Sequence, residues 1–132
     1  QKKCCACKGP IMDGEEILGA IVLILCGFGC GSLFFWIGSW AEKRKDPAPF
    51  WTGSFVNPNT ITDILAYNKA NARMWKQYAI PFWITGLCGL SSFINDRLSA
   101  LIGCASAGIA STVGIVWLIC TYKRIEKQYK VQ

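Results

Sequence analysis

Side chains able to carry acid–base chemistry are scarce in this sequence. The chain of 132 residues contains no histidine, and its eight acidic residues all lie outside the long apolar stretches. Histidine is the most frequent general base, and an ionisable residue inside an apolar helix is the usual mark of a proton or ion path, so this distribution argues against catalysis. Asp63 is the only acid far from those stretches, and a helix N-cap accounts for it. The sequence therefore predicts a protein that is not an enzyme, with no catalytic residue and no cofactor.

Cysteines are the second kind of reactive residue, and three of them cluster at Cys4, Cys5 and Cys7. A zinc site usually takes four ligands, commonly in two separated pairs, and this chain offers the cluster neither histidine nor a second cysteine pair. Cysteines beside a membrane can be S-acylated, but a polar segment separates these from the first apolar stretch. We therefore predict no metal site, and between acylation and no role we favour no role. The other cysteines are expected to act as small apolar residues: Cys26, Cys30, Cys88, Cys104 and Cys120.

The amide side chains of Asn68 and Asn71 are the strongest candidates for a binding function. Asn68 lies on an apolar helical stripe, with Tyr67 and Trp75 nearby, and an amide in such surroundings costs free energy unless it is hydrogen-bonded. It could be a structural tie, to segment 51–53 or to exposed helix-end carbonyls, or it could recognise a headgroup or another ligand; we favour the tie. The candidate binding residues of this region are Trp51, Gly53, Asp63, Tyr67, Asn68, Asn71 and Trp75.

The elements that would position these residues follow from three stretches without Asp, Glu, Lys or Arg. They cover residues 17–41, 77–95 and 98–122, and about 20 mainly apolar residues suffice for a helix to cross the hydrocarbon core of a bilayer. Stretches that are apolar on every side do not fit the surface helices of a soluble bundle, which need a polar face. The sequence therefore predicts an all-α integral membrane protein with three transmembrane helices.

Residues 42–76, between the first and second spans, are predicted to hold an aromatic loop and an amphipathic interfacial helix. A capping box at Thr60 and Asp63 would start this helix. Its apolar stripe would face the bilayer and its basic residues the phosphates. Pro81 is expected to kink or restart the helix where the second span begins.

The distribution of basic residues predicts the orientation. Residues 42–76 and the basic tail 123–132, which is expected to extend the last helix, together hold ten Lys and Arg. The polar cysteine-rich head 1–16 and the tight outer turn at residues 95–97 hold four. This turn is predicted to join the second and third spans into an antiparallel hairpin. The positive-inside rule therefore places the C-terminus in the cytoplasm and the N-terminus outside the plasma (inner) membrane. Met12 is a candidate natural start, in which case the head before it is an extension. Basic residues that flank spans contact lipid phosphates, so we predict no nucleic-acid partner.

Small residues recur at four-residue steps and predict helix packing. Gly27 and Gly31 form a GxxxG step in the first span, and Gly103, Ala107 and Ser111 form a series in the third. Small residues allow helix backbones to approach closely where lipid supplies no hydrophobic drive. The third span carries a second such series at Cys104, Gly108 and Thr112. Packing within one chain and packing in a homo-oligomer therefore both stay open.

The aromatic loop carries a pattern that resembles a known group of proteins. It reads F-W-x-G at residues 50–53 and D-x-x-x-Y-N-x-x-x-x-x-M-W at residues 63–75. The further matching positions are Val56, Pro58, Ile61, Asn71 and Tyr78. This pattern is similar to that of small Firmicutes membrane proteins of a domain-of-unknown-function family, loosely grouped with bacteriocin-immunity proteins. The resemblance covers about residues 17–95. It implies a bacterial inner-membrane protein and supplies no mechanism.

Three functions fit these features. The first is a non-enzymatic membrane protein whose cytoplasmic interfacial loop binds a protein or lipid partner, in an immunity or envelope-stress role. The second is a small oligomeric transporter or channel, for which the hydroxyl residues of the third span offer only a thin polar stripe. The third is an accessory subunit of a larger membrane complex. The predicted partners are the lipid bilayer and either a second copy of the chain or another membrane protein.

Overall fold

The computed structural model describes residues 13–50, 54–94 and 96–132, and the described chain is helical. The helices are α1 (Gly14–Glu42), α2 (Ile64–Ser91) and α3 (Asp96–Tyr129), and a short 3-10 helix covers Pro58–Thr60. Of these, α1 and α3 are long and apolar enough to cross a membrane.

The first helix begins directly after its N-cap residue, Asp13. Asp13 precedes it in an extended conformation, and the backbone N–H of Asp13 donates to the carboxylate of Glu16 at 3.1 Å. Acidic side chains in a first turn are also favoured by the positive end of the helix dipole. The helix therefore includes three residues before the predicted span 17–41 and ends at Glu42.

The second helix differs from its predicted layout. One continuous helix, Ile64–Ser91, contains both the predicted interfacial helix and most of the predicted span 77–95, and Pro81 lies inside it. The helix starts one turn later than predicted, because Asp63 is the N-cap and its carboxylate accepts from the backbone N–H of Ala66 at 3.0 Å. Thr60 belongs instead to the preceding 3-10 helix. A proline is tolerated inside such a helix where a neighbouring helix and hydroxyl side chains satisfy the local backbone groups.

The second helix is the centre of the fold. It packs against α1 on one side and α3 on the other, while α1 and α3 make few contacts with each other. Both pairs are antiparallel: Gly27 of α1 lies against Gly86, and Gly103 of α3 lies against Cys88. A short turn after Ser91 joins α2 to α3, so these two helices form the predicted antiparallel hairpin.

The buried core lies at one end of the molecule, which we call the cap and define as residues 43–50, 54–79 and 118–131. The predicted helical extension of the tail is confirmed, because α3 continues to Tyr129. The chain beyond it pairs with the loop through the N–H of Thr62 to the carbonyl of Tyr129 and the N–H of Val131 to the carbonyl of Thr60, both 2.8 Å. The core cluster of the cap consists of Ile61, Tyr67, Met74, Trp75, Tyr78, Leu118 and Ile125.

The opposite end, residues 17–33, 80–94 and 97–117, is here called the apolar half. Its large apolar side chains mostly point outward; for example, Leu25 is 66% exposed and Leu101 67% exposed. So much outward apolar surface is unusual for a chain surrounded by water.

Candidate functional site

The amide of Asn68 ties the loop after α1 to the second helix. Its Nδ2 donates to the carbonyl oxygens of Arg44 at 3.0 Å and Asp46 at 2.9 Å, and its Oδ1 accepts from the backbone N–H of Ala48 at 2.8 Å. Two carbonyls and one N–H around the amide fix its orientation, because only the nitrogen can donate. Asn68 has no exposed surface. Of the two interpretations, the structure shows a structural tie, made to backbone groups of the loop 44–48, which begins beyond the end of α1. It leaves no free face of this amide for a ligand.

Asn71 lies one turn further along α2 and is also buried. Its Nδ2 donates to the carbonyl of Tyr67 at 3.1 Å, within its own helix. The two amides therefore do not form a joint site: Asn68 reaches the loop, whereas Asn71 bonds back along α2.

Aromatic rings form much of the core of the cap. The hydroxyls of Tyr67 and Tyr122 lie 3.1 Å apart, which links α2 to α3. Trp75 stacks between Phe34 and Phe50, with ring centroids 5.8 Å away on each side. The predicted binding residues Tyr67 and Trp75 are thus packing residues of the cap core.

The other predicted binding residues divide into two groups. The carboxylate of Asp63 caps α2, so its role in the structure is the one that the sequence also allowed. Trp51 and Gly53 lie outside the described residues. The cysteine cluster of the head lies outside them as well. Within residues 13–50, 54–94 and 96–132, no group of three potential metal ligands lies close together.

The small residues of α1 lie at its interface with α2. A side chain at Gly27 would overlap the backbone of Gly86, and one at Gly31 would overlap the indole of Trp83. On α3, Gly103 is buried against Cys88, and Ala107 is half-buried.

Ser111, predicted to continue the packing series on α3, is exposed instead, and its hydroxyl donates to the carbonyl of Ala107 at 2.8 Å. Each four-residue step turns about 40° beyond a full turn, so a straight helix carries the third member of such a series away from its partner. The second series, Cys104, Gly108 and Thr112, is exposed throughout.

A groove between α1 and α2, beside the cap, was not predicted. Its volume is about 370 Å³. Polar residues, three of them basic, line the part of the groove nearest the cap, and apolar residues form the rest, here called its floor. The polar residues are Lys69, Arg73, Lys76 and Gln77, the floor is formed by Phe35, Ile80 and Trp83, and Glu42 and Ala72 complete the lining. The signal was present in the sequence, because Lys69, Arg73, Lys76, Ile80 and Trp83 recur at steps of four and three residues. Such spacing places all five on one face of a helix.

One ion pair crosses this groove. The Nζ of Lys76 lies 2.6 Å from the carboxylate of Glu42, which stands at the end of α1 beyond the uncharged stretch. The hydrogen bond from Lys76, with its charge, holds the pKa of the Glu42 carboxyl below its usual value. Lys69 and Arg73 form no ion pair with any residue that the structure describes. The groove therefore carries an excess of positive charge.

A second groove, of about 520 Å³, lies in the apolar half, where α1 and α3 diverge. Leu18, Val22 and Ala100 contribute to its walls, with Glu15 and Arg97 also in the lining. Its lining is mostly apolar, with few groups that could orient a ligand.

An all-helical chain with two helices able to cross a membrane is the class that these observations define. No family model, curated protein or solved structure matches the chain. The resemblance of the loop pattern to small Firmicutes membrane proteins therefore stays a prediction, and a function can be proposed only from the geometry of the chain itself.

Proposed function

We propose that the chain is a non-enzymatic membrane protein that crosses the bilayer three times. The spans would be residues 17–41 of α1, residues 77–95, and residues 98–122 of α3. The cap would lie at the cytoplasmic face of the inner membrane, with the N-terminal end of α1 outside. The first half of α2 would then be an interfacial element that stands on the second span and does not lie flat on the lipid.

The apolar half supports the proposed membrane location. The stretch of α1 from Ile17 to Trp40 rises about 35 Å, close to the roughly 30 Å thickness of a hydrocarbon core. Trp36 and Trp40, exposed at 64% and 44%, lie at the end of this stretch, where tryptophan favours the interface. The basic residues of the loop follow them directly.

The proposed function of the cap is to bind a partner at the membrane surface through the groove between α1 and α2. The observation that carries this proposal is a pair of exposed basic side chains, Lys69 and Arg73, above an apolar floor. Neither forms an ion pair with the residues that the structure describes. The loop residues that the sequence favoured for binding, such as Asn68 and Trp75, are buried. Their contribution is to hold the cap in shape, so we move the binding surface from them to the groove.

A channel is the less favoured alternative. Three hydroxyls that could have lined a path donate to backbone carbonyls within the chain: those of Ser106, Ser111 and Thr112. A homo-oligomer or a larger complex would use the exposed small-residue face of α3, where Gly108 has open space beside it. The immunity or envelope-stress role draws its support from the loop resemblance alone.

The span number and orientation can be tested with protease-cleavable tags in sealed membrane vesicles. One tag is inserted between Asn95 and Asp96, after the proposed second span, and another follows Gln132. We expect protease outside right-side-out vesicles to cut the first tag, and protease outside inverted vesicles to cut the second. Cleavage of both tags from the same side would overturn the three-span arrangement, because α3 would not cross the bilayer.

Binding by the cap can be tested by purifying the full chain in mild detergent, followed by mass spectrometry of the lipids and proteins that remain with it. We expect a component that is retained by the wild type and lost from a Lys69→Glu, Arg73→Glu variant that still inserts. Identical sets of bound components in the two chains would contradict a binding role for the groove.

A further inference from the structure

The groove between α1 and α2 has the polarity of a single phospholipid molecule. Its basic residues and its apolar residues follow one another along the same face of α2. From Arg73 to Trp83 the helix rises about 15 Å, and the apolar part from Ile80 to Trp83 accounts for about 5 Å of this. A ligand with an anionic head and an apolar tail would match both parts, with the groove contacting the beginning of the tail.

We propose that this groove binds one anionic phospholipid from the cytoplasmic leaflet. Lys69 and Arg73 take its phosphate, and Phe35, Ile80 and Trp83 receive one acyl chain. The inference rests on the proposed function, because it requires the chain to lie in a membrane with the cap at one surface. It adds the chemical class of the ligand and the residues that select it.

The charges at the head of the groove favour an anion in spite of the carboxylate there. Glu42 is engaged by Lys76 at 2.6 Å, so this acid and this base largely cancel. Lys69 and Arg73 remain, and Arg73 can offer a phosphate two parallel N–H donors. Basic pockets between transmembrane helices on the cytoplasmic side are the usual sites for anionic headgroups.

The floor of the groove distinguishes a lipid from a free phosphate ion. The ring of Phe35 packs on that of Trp83 with centroids 5.4 Å apart, and Ile80 is 50% exposed beside them. A free phosphate would use only the two basic residues and leave these apolar surfaces uncovered. An acyl chain would cover them and continue into the lipid around the apolar half.

The test is native mass spectrometry of the full chain, released from detergent micelles supplied with defined lipids. The probes are phosphatidylglycerol, phosphatidylcholine and soluble glycerol phosphate. We expect the wild type to retain one phosphatidylglycerol, with phosphatidylcholine and glycerol phosphate retained on the order of tenfold less. Equal retention of glycerol phosphate would overturn the lipid in favour of a phosphate site, and equal retention of phosphatidylcholine would overturn the role of the negative charge.

Matched variants separate the groove from the general positive charge of the cap. Lys69→Gln with Arg73→Gln removes two charges in the groove, and Lys123→Gln with Lys127→Gln removes two exposed charges on α3. We expect the first pair to lower phosphatidylglycerol retention on the order of tenfold, and the second pair to leave it within about twofold. Equal losses in both pairs would overturn the groove as a specific site.

The proposed contact with the acyl chain is tested by a separate variant. Ile80→Gln should lower retention of phosphatidylglycerol while glycerol phosphate binding stays unchanged, and an unchanged lipid signal would overturn the acyl-chain contact. The thermal unfolding midpoint without added lipid is measured for each variant, so that loss of the fold is separated from loss of the site. A chain that fails the vesicle tag assay fails the proposed function, whereas a correctly inserted chain with equal lipid retention in all variants fails this inference alone.

Discussion

The cap and the apolar half both contain parts of α2 and α3 but are held together by different interactions. In the cap, aromatic side chains are buried inside the chain, and the polar atoms of Asn68 are fully paired. In the apolar half, side chains such as Leu25 and Leu101 point outward, and the helices meet through glycines. Water drives the burial of the first region. The second gains little from water exclusion when lipid surrounds it, so it depends on close packing.

This difference predicts that substitutions in the two regions fail in different ways. A truncation in the cap leaves a cavity or an unpaired backbone group, whose cost does not depend on the surrounding lipid. A substitution at a helix contact in the apolar half changes how closely two helices approach. Its cost should depend on what surrounds them. The following variants test that contrast, from the largest expected effect to the smallest.

Trp75→Ala should have the largest effect. Trp75 is 9% exposed and stacks between Phe34 and Phe50, so its truncation leaves a large cavity in the cap. We expect a loss of about 4 kcal/mol in the free energy of unfolding. The free energy of unfolding is measured by thermal unfolding in detergent, with circular dichroism as the signal. Trp36→Ala is the control, because Trp36 is 64% exposed and should cost little. Similar losses for both variants would show that the stacking of Trp75 between Phe34 and Phe50 does not stabilise the cap.

Asn68→Ala should come second. It leaves the carbonyls of Arg44 and Asp46 and the N–H of Ala48 without their partner, and buried backbone groups without hydrogen bonds are costly. We expect a loss of about 3 kcal/mol. The loop 43–50 should also become more sensitive to limited proteolysis than in the wild type.

The control for that variant is Asn59→Ala. Asn59 is exposed in the 3-10 helix, and its hydrogen bond to the side chain of Asn57 uses its backbone N–H. We expect no change in stability or cleavage. If Asn68→Ala also left the cleavage of the loop unchanged, the amide would not be the tie that the geometry indicates.

The two regions also differ in how much the sequence could reveal. The apolar stretches predict α1 and α3 directly, because length and the absence of charge are enough to mark a helix that could cross a membrane. The sequence limited the role of Asn68 to a structural tie or a ligand contact. It could not identify the hydrogen-bond partners of the amide, because Arg44 and Asp46 lie more than twenty positions away in the chain. The continuity of α2 through Pro81 could not be foreseen, because a proline is compatible with both a kinked and a restarted helix.

The groove was missed for a related physical reason. An amphipathic stretch with basic residues fits an interfacial helix as well as a helix wall, and periodicity does not reveal what covers its apolar face. Here protein covers it: Tyr67 and Asn68 are fully buried. Only the position of α1 alongside α2 brings Glu42 to Lys76 and creates the groove.

Gly27→Ala should have a smaller effect than Trp75→Ala and Asn68→Ala. It tests most directly how the packing of the apolar half differs from that of the cap. A methyl group at this position would overlap the backbone of Gly86, which cannot rotate away as a side chain can. Moving α1 from α2 should cost about 2 kcal/mol. Because this region depends on close packing within lipid, the loss should change between short-chain detergent and bilayer nanodiscs, whereas the loss for Trp75→Ala should not.

Gly29→Ala is the matched control on the same helix, since no atom lies within 4 Å of an added methyl group there. Alanine is the better helix former by about 1 kcal/mol, so this variant should be neutral or slightly stabilising. The pair therefore isolates the helix contact from helix propensity. A Gly27→Ala protein as stable as the Gly29→Ala protein in both surroundings would show that α1 is free to move away from α2. The distinction between a rigid cap and a closely packed apolar half would then have to be abandoned.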